Sequence, residues 1–260
     1  MRRTALICVL GWTLLWMAPV ALAGPDPPPL TQRLPEGISL AWGIGGYAVS
    51  DDYISGEKYT GTLPVYGLGW THRHDGYDYR LQVDVAHSAS IENYTVRTNI
   101  YQFTLNQGFL YPLPRFKILS RTAYPFLGPS TDLFVYVNKP DIAVDGFDYA
   151  QSFATLLALG INGHLLVPLA KRLTLDNGLR LGVVALGVRM VDMEETDESM
   201  VKALALPSMV HGDYTMGLRY HLSGAASLAA GYRFDLTRIQ TWEPLHAGAD
   251  RFFATLHVWR

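Results

Sequence analysis

The sequence predicts an all-β chain that folds as an antiparallel up-and-down β-barrel of about ten strands. Large apolar residues alternate with small, polar or charged residues, with a period of two, along most of the chain after residue 37. No stretch of about a dozen residues keeps a helical period. The connections between the alternating segments are short and long in turn, as they are in a closed sheet with tight turns at one end.

Composition excludes several other classes of protein. The chain of 260 residues carries 21 Lys and Arg against 23 Asp and Glu, so its formal net charge is −2. Nucleic acid is therefore not expected as a partner, because it requires a basic patch. Charged residues make up 17% and apolar residues 49%, with no long apolar segment after the first ~25 residues. A disordered chain, a coiled coil and a helical membrane bundle are thereby excluded.

Residues 1–23 are predicted to form a cleaved signal peptide. Arg2 and Arg3 are followed by an apolar run, and Ala23 completes a small-x-small pattern that precedes cleavage. An uncleaved membrane anchor is the alternative, because the apolar run is almost long enough to cross a bilayer. Cys8, the single cysteine, falls in this segment. The mature chain is therefore expected to have neither a disulfide nor a thiolate metal site.

A Pro-rich lead over residues 24–37 is expected to be extended and periplasmic. The barrel domain is predicted over residues 38–260. Its ten expected strands are 38–48, 59–71, 77–88, 97–111, 124–137, 149–168, 173–188, 208–222, 225–236 and 250–259.

The third of these strands carries the clearest alternation. Val83 belongs to its apolar face, and the opposite face presents Asp78, Arg80, Gln82 and Asp84. Charged residues that alternate with large apolar ones over nine positions indicate a strand with two unlike faces.

The connections divide into two groups by length. The short ones are 72–76, 169–172 and 223–224, and the long ones are 49–58, 189–207 and 237–249. Asn162-Gly163 and Asn177-Gly178 are also typical of hairpin turns and would give twelve strands. Ten is preferred, because residues 170–172 then form a turn instead of placing charge inside a short strand.

Three features favour a barrel whose apolar face contacts lipid: small residues on the polar face, scarce lysine in the strands, and aromatic residues near both strand ends. A soluble secreted barrel that binds an apolar ligand in its lumen is the alternative. The expected aromatic bands are Trp70, Tyr77, Tyr79, Tyr111, Tyr220 and Trp259 near the turns, and Tyr47, Tyr101, Tyr214, Tyr232 and Phe234 near the loops.

At the level of this pattern the chain resembles the small outer-membrane β-barrel proteins of Gram-negative bacteria. The resemblance covers the signal segment and nearly all of residues 37–260. It implies an outer-membrane location, contact with outer-membrane lipid and lipopolysaccharide, and insertion by the barrel assembly machinery. Such barrels commonly end in an aromatic residue that this machinery reads. Here Trp259 is followed by Arg260, which departs from that pattern.

Parity along the strands places many charged residues in the lumen. They are Asp78, Arg80, Asp84, Asp132, Asp176, Arg180, Asp213, Arg219, Arg233 and Asp235. Opposite charges in a narrow lumen are expected to pair, because an unpaired buried charge is costly. One interpretation is an ion-paired core that locks and fills the barrel. The other is a narrow, porin-like pore for small solutes.

One cluster near the loop end of strands eight and nine suggests chemistry. A three-residue turn over 222–224 would place His211 opposite Asp235, and Asp213 opposite Arg233. A His–Asp pair at the outer rim resembles the outer-membrane proteases, which use acidic residues with a histidine. No matching second acidic pair is present, and a rim salt-bridge network is the preferred interpretation, so no catalytic residue is assigned.

The leading hypothesis is an outer-membrane barrel with a structural, adhesive or small-solute pore role. An outer-membrane hydrolase with the rim site is the alternative enzyme class. The sequence contains no P-loop, dinucleotide fingerprint or zinc-ligand spacing, so neither a cofactor nor a metal is expected.

Overall fold

The computed structural model describes residues 34–94, 96–141, 143–144, 147–148, 151–191, 201–241 and 243–258. The predicted signal peptide, most of the lead, Trp259 and Arg260 lie outside the described residues. Within the described part of the chain, no helix is long and apolar enough to span a membrane.

The described residues form fifteen strands that follow one another along the chain. Their bounds are β1 Gly37–Asp51, β2 Ser55–Thr62, β3 Val65–His74, β4 Tyr77–Glu92, β5 Arg97–Pro112, β6 Phe116–Ile118, β7 Arg121–Pro140, β8 Ala143–Val144, β9 Phe147–Asp148, β10 Ser152–Ala170, β11 Leu173–Val191, β12 Val201–Ala205, β13 Met209–His221, β14 Ala226–Ile239 and β15 Leu245–Val258.

The sheet closes on itself, because β1 pairs with β15 from Ile38 opposite Val258 to Asp51 opposite Leu245. β2 and β3 act as one interrupted strand, as do β12 and β13. Pro64 and Pro207 lie in these interruptions, where a missing N–H prevents ladder pairing. The closed antiparallel barrel therefore has ten strands, and the predicted fold class is confirmed.

The alternative of twelve strands is wrong. Asn162 pairs with Arg180, and Asn177 pairs with Leu165, all within the long β10–β11 ladder. The two Asn-Gly pairs therefore lie inside strands, and the turn between β10 and β11 is 171–172, as the ten-strand prediction requires.

The strands continue further toward the loop end than their alternation predicts. β1 extends to Asp51 and β15 begins at Leu245, so the connections shrink to 52–54 and 240–244. The predicted long loops over 49–58 and 237–249 are thus mostly strand. The reason is that this end of the lumen is filled with apolar side chains, which extended paired strands must cover.

The unusually long link after β5 contains a small hairpin of its own. β6 pairs with the first residues of β7, with Phe116 opposite Ala123. Leu119 and Ser120 form its tip with φ values of 46° and 68°. The link is therefore a turn with its own short ladder at the end of the barrel where the other tight turns lie.

The two faces of the barrel differ as the alternation predicts. Outward-facing Leu40, Leu68 and Leu159 are more than half exposed, whereas Asp84 and Asp132 are buried in the lumen. Most of the aromatic residues expected in the two bands point outward, but Tyr47 does not. It is buried in the lumen, where its hydroxyl accepts a hydrogen bond from Gln102 Nε2 at 2.8 Å. Tyr47 shares its face of β1 with Ala41 and Gly43, which line the lumen, so it is part of the interior and not of the band.

Candidate functional site in the barrel lumen

The loop-end part of the lumen is closed by an apolar layer. Its buried residues are Tyr47, Val49, Tyr59, Leu63, Val65, Ala86, Ile91, Ile100, Phe134, Tyr136, Ala154, Leu156, Ala158, Ala185, Leu204, Met209, Ile239, Leu245, Ala247 and Ala249. They come from strands all around the barrel, so the layer fills the cross-section like the core of a soluble domain.

A buried ion pair lies at the loop end of this layer. Arg189 Nη2 is 2.8 Å from Asp51 Oδ1, and neither side chain has any solvent exposure. The same nitrogen donates to the carbonyl oxygen of Glu243 at 3.2 Å, and the guanidinium lies 4.6 Å from the ring centroid of Tyr53. The pair connects β1, β11 and the last connection of the barrel, across the lumen.

Below the apolar layer, a set of charged side chains crosses the lumen, called here the ion-pair layer. It consists of Asp84, Asp132, Arg180, Asp213, Arg233, Asp235 and Arg251. Arg233 bonds to Asp84 and Asp235, each at 2.8 Å, and Arg251 also reaches Asp235 at 2.8 Å. These contacts connect β4, β14 and β15.

The other half of the ion-pair layer is centred on Arg180. Its guanidinium bonds to Asp213 and lies 3.4 Å from Asp132, which accepts a hydrogen bond from Asn106 Nδ2 at 2.5 Å. Asp213 also lies 3.9 Å from Arg233 and so joins the two halves. The layer therefore links strands on opposite sides of the barrel through charge-assisted bonds.

A cavity of about 130 Å³, lined by charged, polar and apolar side chains, lies under the ion-pair layer. On one wall Arg80 Nη1 donates to His164 Nε2, and His164 Nδ1 lies 3.4 Å from Asp176 Oδ1. Asp176 also bonds to Arg219. Gly178 gives His164 and Thr215 room on this wall, since a Cβ there would lie 3.0 Å from the His164 ring and 2.6 Å from Thr215 Oγ1.

Leu34, three residues before the start of β1, blocks one side of the lumen at the turn end. Leu34 is buried in a cluster with Leu110, Tyr124, Phe126 and Leu166. Arg73 Nη2 donates to the Leu34 carbonyl oxygen at 2.8 Å, while Arg73 Nε contacts Asp78 at 3.1 Å. The last part of the predicted lead thus enters the barrel mouth. We call Leu34, the residues packed around it, Arg73 and Asp78 the turn-end plug.

The rim pairing predicted for His211 is wrong. His211 lies opposite Thr237, and Asp213 lies opposite Asp235. The shift arises because the turn is longer than three residues: Leu222 N and Ser223 N both donate to the Ala226 carbonyl oxygen, at 3.0 and 3.2 Å.

His211 is also buried, below the apolar layer instead of at the outer rim. Its Nδ1 lies 2.9 Å from Thr237 Oγ1, and its ring centroid lies 5.1 Å from that of Phe134. Arg180 and Arg233 bind the nearby carboxylates. The described residues therefore present no solvent-facing His–Asp pair at this position.

The charged residues predicted by parity all lie on the lumen side of the sheet. They join the ion-pair layer (Asp84, Asp132, Arg180, Asp213, Arg233, Asp235), the cavity wall and its neighbours (Arg80, Asp176, Arg219) or the turn-end plug (Asp78).

Sequence reasoning missed six interior groups: Asp51, Arg73, His164, Arg189, Arg251 and His257. Asp51, Arg73 and Arg189 lie beyond the predicted strand ends, so parity along those strands does not reach them. Parity could have identified Arg251 as a lumen residue, because it shares its face with Phe253 and Thr255. Within the described ranges, no group of three or more His, Cys, Asp or Glu residues could hold a metal ion.

No family model matches the sequence, and no curated protein matches it either. Among solved structures, the outer membrane protease OmpT from Escherichia coli aligns with a TM-score of 0.50 and 7% identity, over 88% of this chain and 99% of that one. The Neisserial surface protein NspA aligns with a TM-score of 0.38 and 13% identity, over 86% and 99% of the two chains. The translocator domain of the autotransporter NalP from Neisseria meningitidis aligns with a TM-score of 0.42 and 13% identity, over 86% and 88%.

The likeness to OmpT concerns the fold, since the identity is only 7%. The chain has the fold of the outer-membrane β-barrels of Gram-negative bacteria, and the resemblance inferred from its sequence pattern is confirmed at that level.

Proposed function

We propose that this chain is an integral outer-membrane protein whose barrel is a closed scaffold with a structural or adhesive role. The observation that carries the proposal is the filled lumen. The apolar layer and the ion-pair layer each cross the barrel, and the turn-end plug covers part of the other mouth. A solute path would require at least two of these layers to open.

The outer face supports placement in a membrane. Leu40, Leu68 and Phe252 are 58%, 54% and 74% exposed, a pattern that is costly in water and suited to lipid. Aromatic side chains form a connected group at the turn end, where the ring centroids of Tyr77 and Phe109 lie 5.7 Å apart. Lipid and lipopolysaccharide are then the surrounding partners, and the barrel assembly machinery inserts the chain.

The geometry does not favour the hydrolase alternative. A general base must reach its substrate, but His211 is buried beneath the apolar layer and hydrogen-bonded to Thr237. The name of the E. coli neighbour describes that protein as a protease, and the likeness of fold does not extend that activity to this chain.

Planar-bilayer recording tests the closed-lumen proposal. The full chain is refolded in detergent and reconstituted, with a general-diffusion porin reconstituted in parallel as the positive control. We expect no conductance steps from the wild type, because the layers across the lumen remain packed. Regular, reproducible steps from the wild type would overturn the proposal.

Membrane fractionation tests the location. We expect the protein to stay in the outer-membrane fraction after carbonate or high-salt washing and to be released by detergent. Release without detergent would contradict a spanning barrel and favour the soluble alternative.

A further inference from the structure

We infer that the cavity under the ion-pair layer is a binding site for a small inorganic oxyanion of the phosphate class. This inference goes beyond the closed-scaffold proposal, since neither a structural nor an adhesive role needs an occupied cavity. It rests on the charged side chains that line this cavity, because the carboxylates are paired and the Arg80 guanidinium has no carboxylate partner among the described residues.

Arg80 is the central observation. Among the described residues its guanidinium bonds to His164 Nε2, and no carboxylate forms an ion pair with it. A guanidinium has five N–H donors in a planar fork, and one such contact leaves most of them unused. Arg80 lines the cavity, so the remaining donors are available to a ligand there.

The nearby carboxylates are already engaged. Asp84 is held by Arg233 at 2.8 Å and Asp213 by Arg180, while Asp176 bonds to Arg219. His164 Nε2 accepts a hydrogen bond from Arg80, which leaves Nδ1 as the nitrogen that carries the ring proton and faces Asp176. The cavity wall therefore presents hydrogen-bond donors and a positive charge at Arg80.

Two further groups are without partners. Arg251 Nε is a buried donor with no hydrogen-bond acceptor, and Asn162 Oδ1 is a buried acceptor with no donor. Both residues line the cavity. A ligand with several acceptor oxygens and one hydroxyl, such as hydrogen phosphate, offers matching groups to both.

The space is sufficient for such a ligand. A cavity of about 130 Å³ is several times the ~10–15 Å³ that a single water requires. Gly67 and Gly69 let the side chains of its wall approach closely, since a Cβ at Gly67 would lie 2.6 Å from Asp84 Oδ1 and one at Gly69 would lie 2.3 Å from Ser39 Oγ.

Thermal unfolding of the detergent-refolded full chain tests the inference. The chain is refolded in phosphate or in sodium chloride of equal ionic strength, so that entry into the folded barrel is not required. At a phosphate concentration about 100 times the dissociation constant, we expect the unfolding midpoint to rise by roughly 5–10 °C over chloride. Phosphate should also stay with the protein through gel filtration in a stoichiometric amount.

Arg80→Gln is the test variant, because it removes the charge and keeps a polar side chain. We expect it to lose most of the phosphate-specific rise. Arg172→Gln, in the exposed 171–172 turn, is the matched control and should keep the rise.

Two results would overturn the inference: equal midpoints in phosphate and chloride for the wild type, or a phosphate-specific rise that Arg80→Gln retains. If Arg80→Gln does not refold, the wild-type comparison between phosphate and chloride decides the question. Conductance plays no part in this test, so its result is independent of the closed-scaffold proposal.

Discussion

Asp213 shows at the scale of a single residue how burial in the lumen changes the contribution of an ion pair to stability. Its side chain is 10% exposed, accepts hydrogen bonds from Arg180 and lies 3.9 Å from Arg233. The Arg97–Glu92 pair is chemically similar, but its side chains are 61% and 59% exposed at the loop end. Removing one partner therefore has different consequences at the two places.

We expect Asp213→Asn to lower the free energy of unfolding by about 3–5 kcal/mol, because it leaves buried guanidinium charge uncompensated. Glu92→Gln, the matched control, should change it by about 0–1 kcal/mol. Urea unfolding of both variants after refolding in detergent measures the difference. Equal effects would mean that the ion-pair layer is solvated and contributes little.

Leu34 is the residue that joins the predicted lead to the barrel interior. We expect Leu34→Ala to cost about 2–5 kcal/mol, since the side chain is almost fully buried against Leu110 and Leu166. Leu113→Ala, at a position 40% exposed, is the control and should cost much less. The same unfolding measurement applies, and a small effect at Leu34 would show that the lead does not stay in the mouth.

At the scale of the strand, β4 separates two environments by single-residue steps. Val83 belongs to the outward face, and Gln82 points into the lumen, where its Nε2 donates to Asp84 at 2.9 Å. Arginine that faces lipid near the middle of a membrane costs about 2–4 kcal/mol. Arginine at position 82 would instead lie beside a carboxylate.

We therefore expect Val83→Arg to reduce assembly into the outer membrane far more than Gln82→Arg. The amount of heat-modifiable protein in isolated outer membranes measures assembly. Equal tolerance, or the reverse order, would show that the outward face does not contact lipid.

The turn between β3 and β4 depends on a glycine. Gly76 has a φ of +94°, a conformation that side chains with a Cβ adopt at a cost of roughly 1–2 kcal/mol. Gly76→Ala should lower stability by about that amount. Gly224→Ala is the control, because a Cβ there meets nothing within 4 Å. Equal unfolding midpoints for the two variants in urea would contradict this account of the turn.

At the scale of the whole molecule, closure removes the free edges of the barrel sheet. The β1–β15 pairing means that each barrel strand has a neighbour on both sides, and the packed layers tie opposite walls together. Unfolding must therefore break a continuous ladder and a filled interior at the same time.

This architecture predicts heat modifiability. In sodium dodecyl sulfate the unheated protein should migrate as a compact species, and boiling should convert it to a slower, unfolded one. Identical migration with and without heating would contradict a closed and filled barrel.

Alternation and turn spacing predict the strand number, the strand centres and the two faces of the sheet. These properties depend on period-two alternation and on turn residues close along the chain, such as the Asp75-Gly76 turn and the alternation around Val83. The charged residues assigned to the lumen by parity follow from the same local rule, which is why Arg80 and Asp132 could be named without a structure.

Which of these residues meet depends on how the strands are staggered in the closed sheet. Strand stagger and exact turn length determine the cross-strand pairing of Asp213 with Arg180 and the place of His211 under the apolar layer. They also determine the Asp51–Arg189 pair and the insertion of Leu34. A turn longer by two residues shifts a ladder by one inward-facing position, so that Asp213 faces Asp235. The alternation pattern does not predict that shift. Partners across a closed barrel are far apart in the chain, and they are brought together only when the sheet closes.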